Sequence, residues 1–279
     1  MRKEFGPLEV QVPKIGQGTW NMEQDDRREA IAALQQGLDL GLTHLDTAEL
    51  YGHGEVEKMV ARAIVHRRDE VFLVSKVLPS NASRTGTKAA CERSLERLRT
   101  DRLDCYLLHW PGPHPLEDTL ASFEELRRAG KVRSYGVSNF DEKLLREAVR
   151  IAGPEKIACN QVLYHLEERH ADAGLVQACE ELKIAFVGYS PFGSGSFPSS
   201  TSRGGKVLGK VARAHGATAR QVALAFLTRE RSMFAIPKAS RAAHAEENAG
   251  ALDLKLDADE LAAIDDAFPV LRRRELPTL

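Results

Sequence analysis

Two kinds of segment alternate along this chain of 279 residues, and that alternation restricts the fold more than any other feature. Short apolar runs rich in β-branched and aromatic residues read as strands: one near Lys14–Thr19, then Leu42–Asp46, Val71–Lys76, Leu103–His109, Val132–Ser138, Ile157–Gln161, Ile184–Tyr189 and Phe234–Pro237. Longer stretches with apolar residues three and four apart read as helices: Asp26–Leu40, Glu55–Val65, Lys88–Leu98, Leu116–Ala129, Glu142–Val149, Ala173–Leu182, Ala219–Thr228 and Ala242–Ala249. Strands without a polar face are buried on both sides, as in a parallel sheet. Eight strand-then-helix units predict an α/β fold, a closed (β/α)8 TIM barrel rather than an open doubly wound sheet. A two-domain dinucleotide-binding fold would want Gly-x-Gly-x-x-Gly after the first strand. Gly16-Gln17-Gly18 stands there, but Asn21 takes the place of the third glycine, and acidic Asp25 and Asp26 follow at the helix start.

No linker divides the chain, so residues 1–279 are read as a single domain. Residues Leu8–Ile15 alternate, with Leu8, Val10 and Val12 on one side, and predict an N-terminal hairpin that plugs the barrel floor. The Ser- and Gly-rich stretch Gly193–Gly205 is expected to be a loop after the seventh strand, and the short tail after Val270 to leave the barrel mouth uncovered. With 39 Lys and Arg against 40 Asp and Glu, the net charge is −1, which excludes the basic field of sequence-independent nucleic-acid binding. The run Arg272-Arg273-Arg274 is read as solvated tail. Cys91, Cys105, Cys159 and Cys179 form no Cys-x-x-Cys pair and fit reduced thiols of an intracellular protein. No apolar run reaches the ~18 residues of a membrane span, and no leader pattern follows Met1. A cytoplasmic monomer is expected, with neither membrane nor nucleic acid as partner.

What ends the apolar runs is chemically informative, because barrel enzymes gather their reactive groups at the carboxyl ends of the strands. Here those ends read His44-Leu45-Asp46, Ser75-Lys76, Leu108-His109, Ser138-Asn139, Asn160-Gln161, Tyr189-Ser190 and Pro237-Lys238. Asp and Lys are costly to bury unless paired. Asp46 and Lys76 on adjacent strands therefore read as neighbours that neutralise each other. Tyr51 follows Asp46 closely enough to lean over the pair, and His109 completes a ring of four polar groups. A phenol ionises near ~10, and an adjacent ammonium is expected to lower that value. Such a group can donate a proton to a carbonyl oxygen while His109 orients the oxygen and Asp46 holds Lys76. The natural attacking partner is a hydride from a nicotinamide. A metal-dependent hydrolase using His44, Asp46, His53 and His109, or a lyase forming a Schiff base at Lys76, would use overlapping residues.

The order and spacing of Gly18-Thr19-Trp20, Asp46-Thr47-Ala48 with Tyr51-Gly52, Ser75-Lys76, Leu107-Leu108-His109-Trp110, Gly136-Val137-Ser138-Asn139-Phe140, Asn160-Gln161, Tyr189-Ser190-Pro191 and Ile236-Pro237-Lys238 resemble the aldo-keto reductase family over essentially the whole chain. Within it, Gly16–Trp20 and Gln161–Leu166 look like a bacterial subgroup of short-tailed reductases acting on methylglyoxal and other small aldehydes. The resemblance implies a (β/α)8 barrel, NADPH-dependent carbonyl reduction, no metal, and Tyr51 as general acid beside Asp46, Lys76 and His109. It implies Tyr189 against the nicotinamide, with Ser138, Asn139 and Gln161 on its carboxamide. Gly18, Thr19 and Asp46 would border the nucleotide, and Ser190, Phe192 and Ser194 would line the pyrophosphate. Lys238 and Ser240 would meet the adenosine ribose, and Glu247 and Asn248 the adenine. Trp20, Tyr51, His109 and Trp110 would wall an open pocket suited to small aldehydes, 2-oxoaldehydes or exposed ketones. The family's usual 2′-phosphate arginine is His244 here, with Arg241 one turn earlier. Imidazole offers less charge than guanidinium at neutral pH, so NADPH preference with weaker discrimination against NADH is expected. A nicotinamide-binding regulatory subunit is the alternative within the same family.

Overall fold

Residues 1–270 and 276–278 are described by the computed structural model; Arg272-Arg273-Arg274, expected as solvated tail, lies outside them. The chain opens with an antiparallel hairpin of β1 (Arg2–Glu4) and β2 (Gln11–Pro13). Eight parallel strands then pair in chain order. They are β3 (Gln17–Gly18), β4 (His44–Asp46), β5 (Phe72–Val77), β6 (Leu103–Leu108), β7 (Val132–Ser138), β8 (Ile157–Leu163), β9 (Ala185–Tyr189) and β10 (Met233–Ile236). Bridges from Ile15 to Ala235 and from Gly18 to Lys238 join the first of these to the last, and the ring closes. At this seam the Gly18 N–H donates to the Pro237 carbonyl at 3.1 Å. A Cβ on Gly18 would lie 2.5 Å from the Ile236 carbonyl oxygen, so the close approach of the two strands requires glycine there.

Helices surround the ring: α1 (Arg27–Asp39), α2 (Glu55–Ala63), α3 (Gly86–Leu98), α4 (Leu116–Arg128), α5 (Glu142–Ala152), α6 (Leu175–Glu181), α7 (Arg203–His215), α8 (Ala219–Leu227), α9 (Ala242–Ala249) and α10 (Ala258–Ala267). Local chemistry starts several of them. Asp26 accepts from the Arg28 and Glu29 N–H groups at 2.9 Å, and Thr218 and Gln221 cap α8 reciprocally. None of the described helices is long and apolar enough to cross a membrane.

Two apolar layers result from the period of two along the strands. Phe72, Val74, Cys105, Leu107, Cys159, Val187 and Phe234 fill the barrel interior, while Leu45, Leu73, Val77, Tyr106 and Leu108 face the helices. The expected hairpin does plug the floor, with Val12 in the interior cluster and Leu8 packed against it, but without Val10. Strand pairing joins Arg2–Glu4 to Gln11–Pro13, so residues 5–10 form the turn and Val10 is exposed. Phe5 enters instead, its ring 4.7 Å from that of Phe72 and 5.0 Å from that of Phe234, with Val12 beside it.

Helices α7 and α10 depart from the sequence expectation, which ends the loop at Gly205 and assigns nothing to either segment. Gly204, Gly205 and Gly209 weaken the helical signal of α7, each by about 1 kcal/mol relative to alanine. Packing overrides propensity here: a Cβ on Gly204 would strike the Phe268 ring, and one on Gly205 the Ser199 carbonyl. The Ser202 hydroxyl accepts from the Gly205 N–H at 3.0 Å and caps the helix. Helix α10 carries a reciprocal cap between Asp257 and Glu260, a sequence-readable signal.

Candidate active site

Alternation along each strand carries a polar residue into the layer above the apolar interior. Asp46 stands two positions beyond His44, Lys76 beyond Val74, His109 beyond Leu107, Gln161 beyond Cys159 and Tyr189 beyond Val187. With Ser138 at the end of β7 and Lys238 just past β10, the carboxyl ends of seven adjoining strands supply one polar ring. A cavity of about 510 Å³ opens there. Its wall contains Gly18, Thr19, Trp20, Asp46, Tyr51, His109, Trp110, Ser138, Asn139, Gln161, Tyr189, Ser190, Phe192, Ser194 and Lys238 from the sequence reading. Ser240, Arg241, His244, Glu247 and Asn248 lie outside that wall, between β10 and the end of α9, with Arg241 and His244 exposed. Asn21, Leu50, Pro191, Gly195, Ile236 and Pro237 also line it and were not singled out from sequence. Pro191, Ile236 and Pro237 stand inside the quoted motifs, Asn21 and Leu50 next to them, and Gly195 in the Ser- and Gly-rich loop.

Lys76 is fully buried and forms the centre of the polar cluster. Its Nζ donates to Asp46 Oδ1 at 2.5 Å, to the Thr47 carbonyl at 2.9 Å and to the Tyr51 hydroxyl at 3.2 Å. The Gln161 amide donates to the other Asp46 oxygen at 2.7 Å, so both carboxylate oxygens are engaged. Tyr51 reaches the ammonium because the chain turns sharply behind it. Gly52, His53 and Gly54 all have left-handed φ, at 54°, 51° and 90°. The Tyr51 ring also lies under the charge, with Nζ 5.0 Å from its centroid. His109 meets the Tyr51 ring edge-on at 5.7 Å and leans on Trp110 at 4.7 Å.

Burial governs the protonation states. It draws the Lys76 ammonium down, but Asp46 and Tyr51 outweigh it and hold the group above an ordinary lysine. Asp46 is pushed up by burial, opposed by the charge of Lys76 and by hydrogen bonds from Lys76 and Gln161. For Tyr51 the structure corrects the expectation of an acidified phenol. Burial raises it, the Lys76 charge opposes, the Asp46 charge adds, and the net direction is upward. The phenol therefore keeps its proton at neutral pH, as a donor must. His109 is pushed down to about 2, first by burial and then by Lys76, so its ring is neutral; its Nδ1 is buried with no hydrogen-bond partner.

The surrounding polar residues are tied to one another. Ser138 donates to the Gln161 carbonyl at 2.8 Å, Asn139 to the His109 carbonyl at 3.1 Å, and the Tyr189 hydroxyl to Asn139 at 3.0 Å. Gln161 has its amide nitrogen on Asp46, so what it offers a ligand is its oxygen. Asn160 faces elsewhere: it donates to the Phe140 carbonyl at 2.8 Å and supports the loop after β7. In the loop after β9, Ser194 donates to the Ser190 hydroxyl at 3.1 Å, and both have left-handed φ. Phe192 packs on Phe197 at 5.8 Å beneath the Arg220 guanidinium. A planar ring bearing a carboxamide fits this donor set: an aromatic side chain at Tyr189, and hydroxyl and amide groups at one edge. Thr19 holds the cavity floor by donating to the Asp46 carbonyl at 2.8 Å.

The residues of the alternative metal site do not converge. His44 is packed below the cavity against Phe5 and Phe72 at 5.6 Å, neutral with its pKa pushed down to about 3 by burial and Lys76. His53 is exposed on the turn after Tyr51. Asp46 faces an ammonium, which would repel a cation.

The Aldo/keto reductase family profile matches residues 14–268. Methylglyoxal reductase YeaE of Escherichia coli (strain K12) is 42% identical over 263 residues, covering 94% of this chain and 93% of that protein. Glyoxal reductase of Bacillus subtilis (strain 168) is 31% identical over 256 residues, covering 92% and 89%. The crystal structure of an aldo/keto reductase from Klebsiella pneumoniae in complex with NADP and acetate superposes with a TM-score of 0.92 at 39% identity, covering 99% of each chain. With the profile running from the first barrel strand to the end of the last helix, the chain belongs to the aldo/keto reductase family of oxidoreductases.

Proposed function

We propose that this chain reduces small aldehydes, 2-oxoaldehydes and exposed ketones to alcohols with NADPH, using Tyr51 as the general acid. The observation that carries the reading is the Tyr51 hydroxyl in the cavity wall, 3.2 Å from an ammonium that Asp46 holds at 2.5 Å. Bound here, a nicotinamide supplies a hydride to the carbonyl carbon. Tyr51 gives its proton to the carbonyl oxygen as charge builds there, and Lys76 stabilises the phenolate left behind. Asp46 fixes Lys76 in position. Neutral His109 orients the oxygen by hydrogen bonding without competing as an acid.

Tyr189, Ser138, Asn139 and Gln161 would hold the nicotinamide and its carboxamide, bordered by Gly18 and Thr19. Ser190, Phe192 and Ser194 would line the pyrophosphate, and Lys238, Ser240, Glu247 and Asn248 the adenosine end. Exposed Arg241 and His244 support NADPH preference without strong rejection of NADH. Trp20 and Trp110, 40% and 37% exposed at the mouth, give apolar walls to a pocket open to small substrates. The names of the Escherichia and Bacillus relatives and the NADP in the Klebsiella structure support the substrate class and cofactor. Four buried, unpaired thiols fit a reducing cytoplasm, and residues 1–279 are taken as one domain and a monomer.

An NADPH-oxidation screen across aldehydes, repeated with Tyr51→Phe, tests the reading. Loss of the hydroxyl should lower kcat/KM by about 10²- to 10⁴-fold while nucleotide affinity stays within about twofold. Retained turnover would remove Tyr51 from its role. Failure to reduce methylglyoxal and nitrobenzaldehydes, with fast turnover of a large alicyclic ketone, would overturn the substrate class.

A further inference from the structure

Lys238 stands at the cavity rim two residues past β10, and its charge is already engaged. Its Nζ lies 2.5 Å from Asp25 Oδ2 and donates to the Asn21 carbonyl at 3.2 Å. Both partners flank the short turn Met22–Gln24 that follows β3, Asn21 entering it with φ at 58° and Asp25 leaving it. The bridge between Gly18 and Lys238 that closes the barrel sets these two segments side by side, so the ion pair is built into the seam. Asp25 Oδ2 is buried and makes no well-directed hydrogen bond, which leaves the Lys238 charge as its compensation. Among the described residues of the cavity wall, Lys238 is the one lysine or arginine. Arg241 and His244 are exposed and outside it.

A phosphate approaching Lys238 must share the ammonium with a carboxylate that repels it. A ribose hydroxyl meets no such penalty and can donate to the same carboxylate. We propose that Asp25 sets the balance between NADPH and NADH by competing with the 2′-phosphate for Lys238. The proposal rests on the nicotinamide-nucleotide reading above. The side chains of Asp25 and Lys238 are 32% and 33% exposed, so the competition is screened by solvent and its effect is moderate.

Equilibrium titration of NADP⁺ and NAD⁺, followed by quenching of tryptophan fluorescence, tests it without turnover. The proteins are the wild type, Asp25→Asn, Lys238→Met and the double variant, with Asp25→Ser as a second removal of the charge. Asp25→Asn should tighten NADP⁺ by about threefold to tenfold and change NAD⁺ by less than about twofold. On the Lys238→Met background the gain should fall below about twofold, because the contested ammonium is gone. Equal shifts for both nucleotides, no gain for NADP⁺, or a gain undiminished without Lys238 would each refute the competition. If the wild type binds neither nucleotide, the cofactor reading falls and this proposal with it. If it binds both and the Asp25 variants do not discriminate, only the role of Asp25 falls.

Discussion

Replacing Lys76 by methionine removes the charge around which the site is organised. Lys76 and Asp46 have side chains 0% and 1% exposed, so no solvent reaches the carboxylate left behind. Asp46 would keep the Gln161 amide on one oxygen and lose its partner on the other. Breaking a buried pair from one side costs about 3–5 kcal/mol. For a chain of this size that corresponds to a fall in melting temperature of about 5–9 °C. Asp46→Asn should cost a similar amount by stranding the ammonium between the Thr47 carbonyl and Tyr51. The double variant removes both charges and should cost about 2–3 kcal/mol less than the sum of the single changes. The sign of the pH dependence is an independent check. Burial already raises Asp46 in the folded state, and without Lys76 it rises further above its unfolded value of ~3.9. An acid raised on folding destabilises above its unfolded pKa and recovers as pH falls through the folded one. His44 and His109, held down by burial and then by Lys76, would also accept protons more readily in the variant. Both effects make the Lys76→Met penalty shrink between pH 7 and pH 5. Urea denaturation of the four proteins at the two pH values measures it. A penalty below about 1 kcal/mol at pH 7, or one that grows on acidification, would refute a buried ionised pair.

Gly18→Ala places a methyl 2.5 Å from the Ile236 carbonyl at the barrel seam, and should destabilise by about 1–3 kcal/mol in chemical denaturation. A change within about 0.5 kcal/mol would show that the seam can yield. The pH profile of carbonyl reduction should be flat through neutrality and fall only above the ordinary phenol range of ~10, because the raised Tyr51 phenol keeps its proton until then. With His109 pushed down to about 2, no limb should appear near ~6.5; one there in kcat/KM would show that this imidazole titrates.

Much of the candidate site's geometry was legible from strand ends alone. Once Leu42–Asp46, Val71–Lys76 and Leu103–His109 are read as parallel strands, the period of two leaves little freedom about where Asp46, Lys76 and His109 point. The same logic carried Ser138, Gln161 and Tyr189 into one layer. It failed where glycine-rich sequence disguised a packed helix, as at α7, and where the alternation read over Leu8–Ile15 began inside a turn that exposes Val10. It also missed the engagement of Lys238 with Asp25, since nothing local links residues more than two hundred positions apart.

The apolar period and the polar residue ending each run are properties of the chain itself, and they determined the barrel and the mouth at which Asp46, Lys76 and His109 gather. How far each group is removed from water is a property only of the folded molecule. Desolvation, which no spacing rule measures, turned the expected acidification of Tyr51 into a raised phenol and made His109 neutral. Closure of the ring likewise decided which distant charges meet, and so put Asp25 against Lys238.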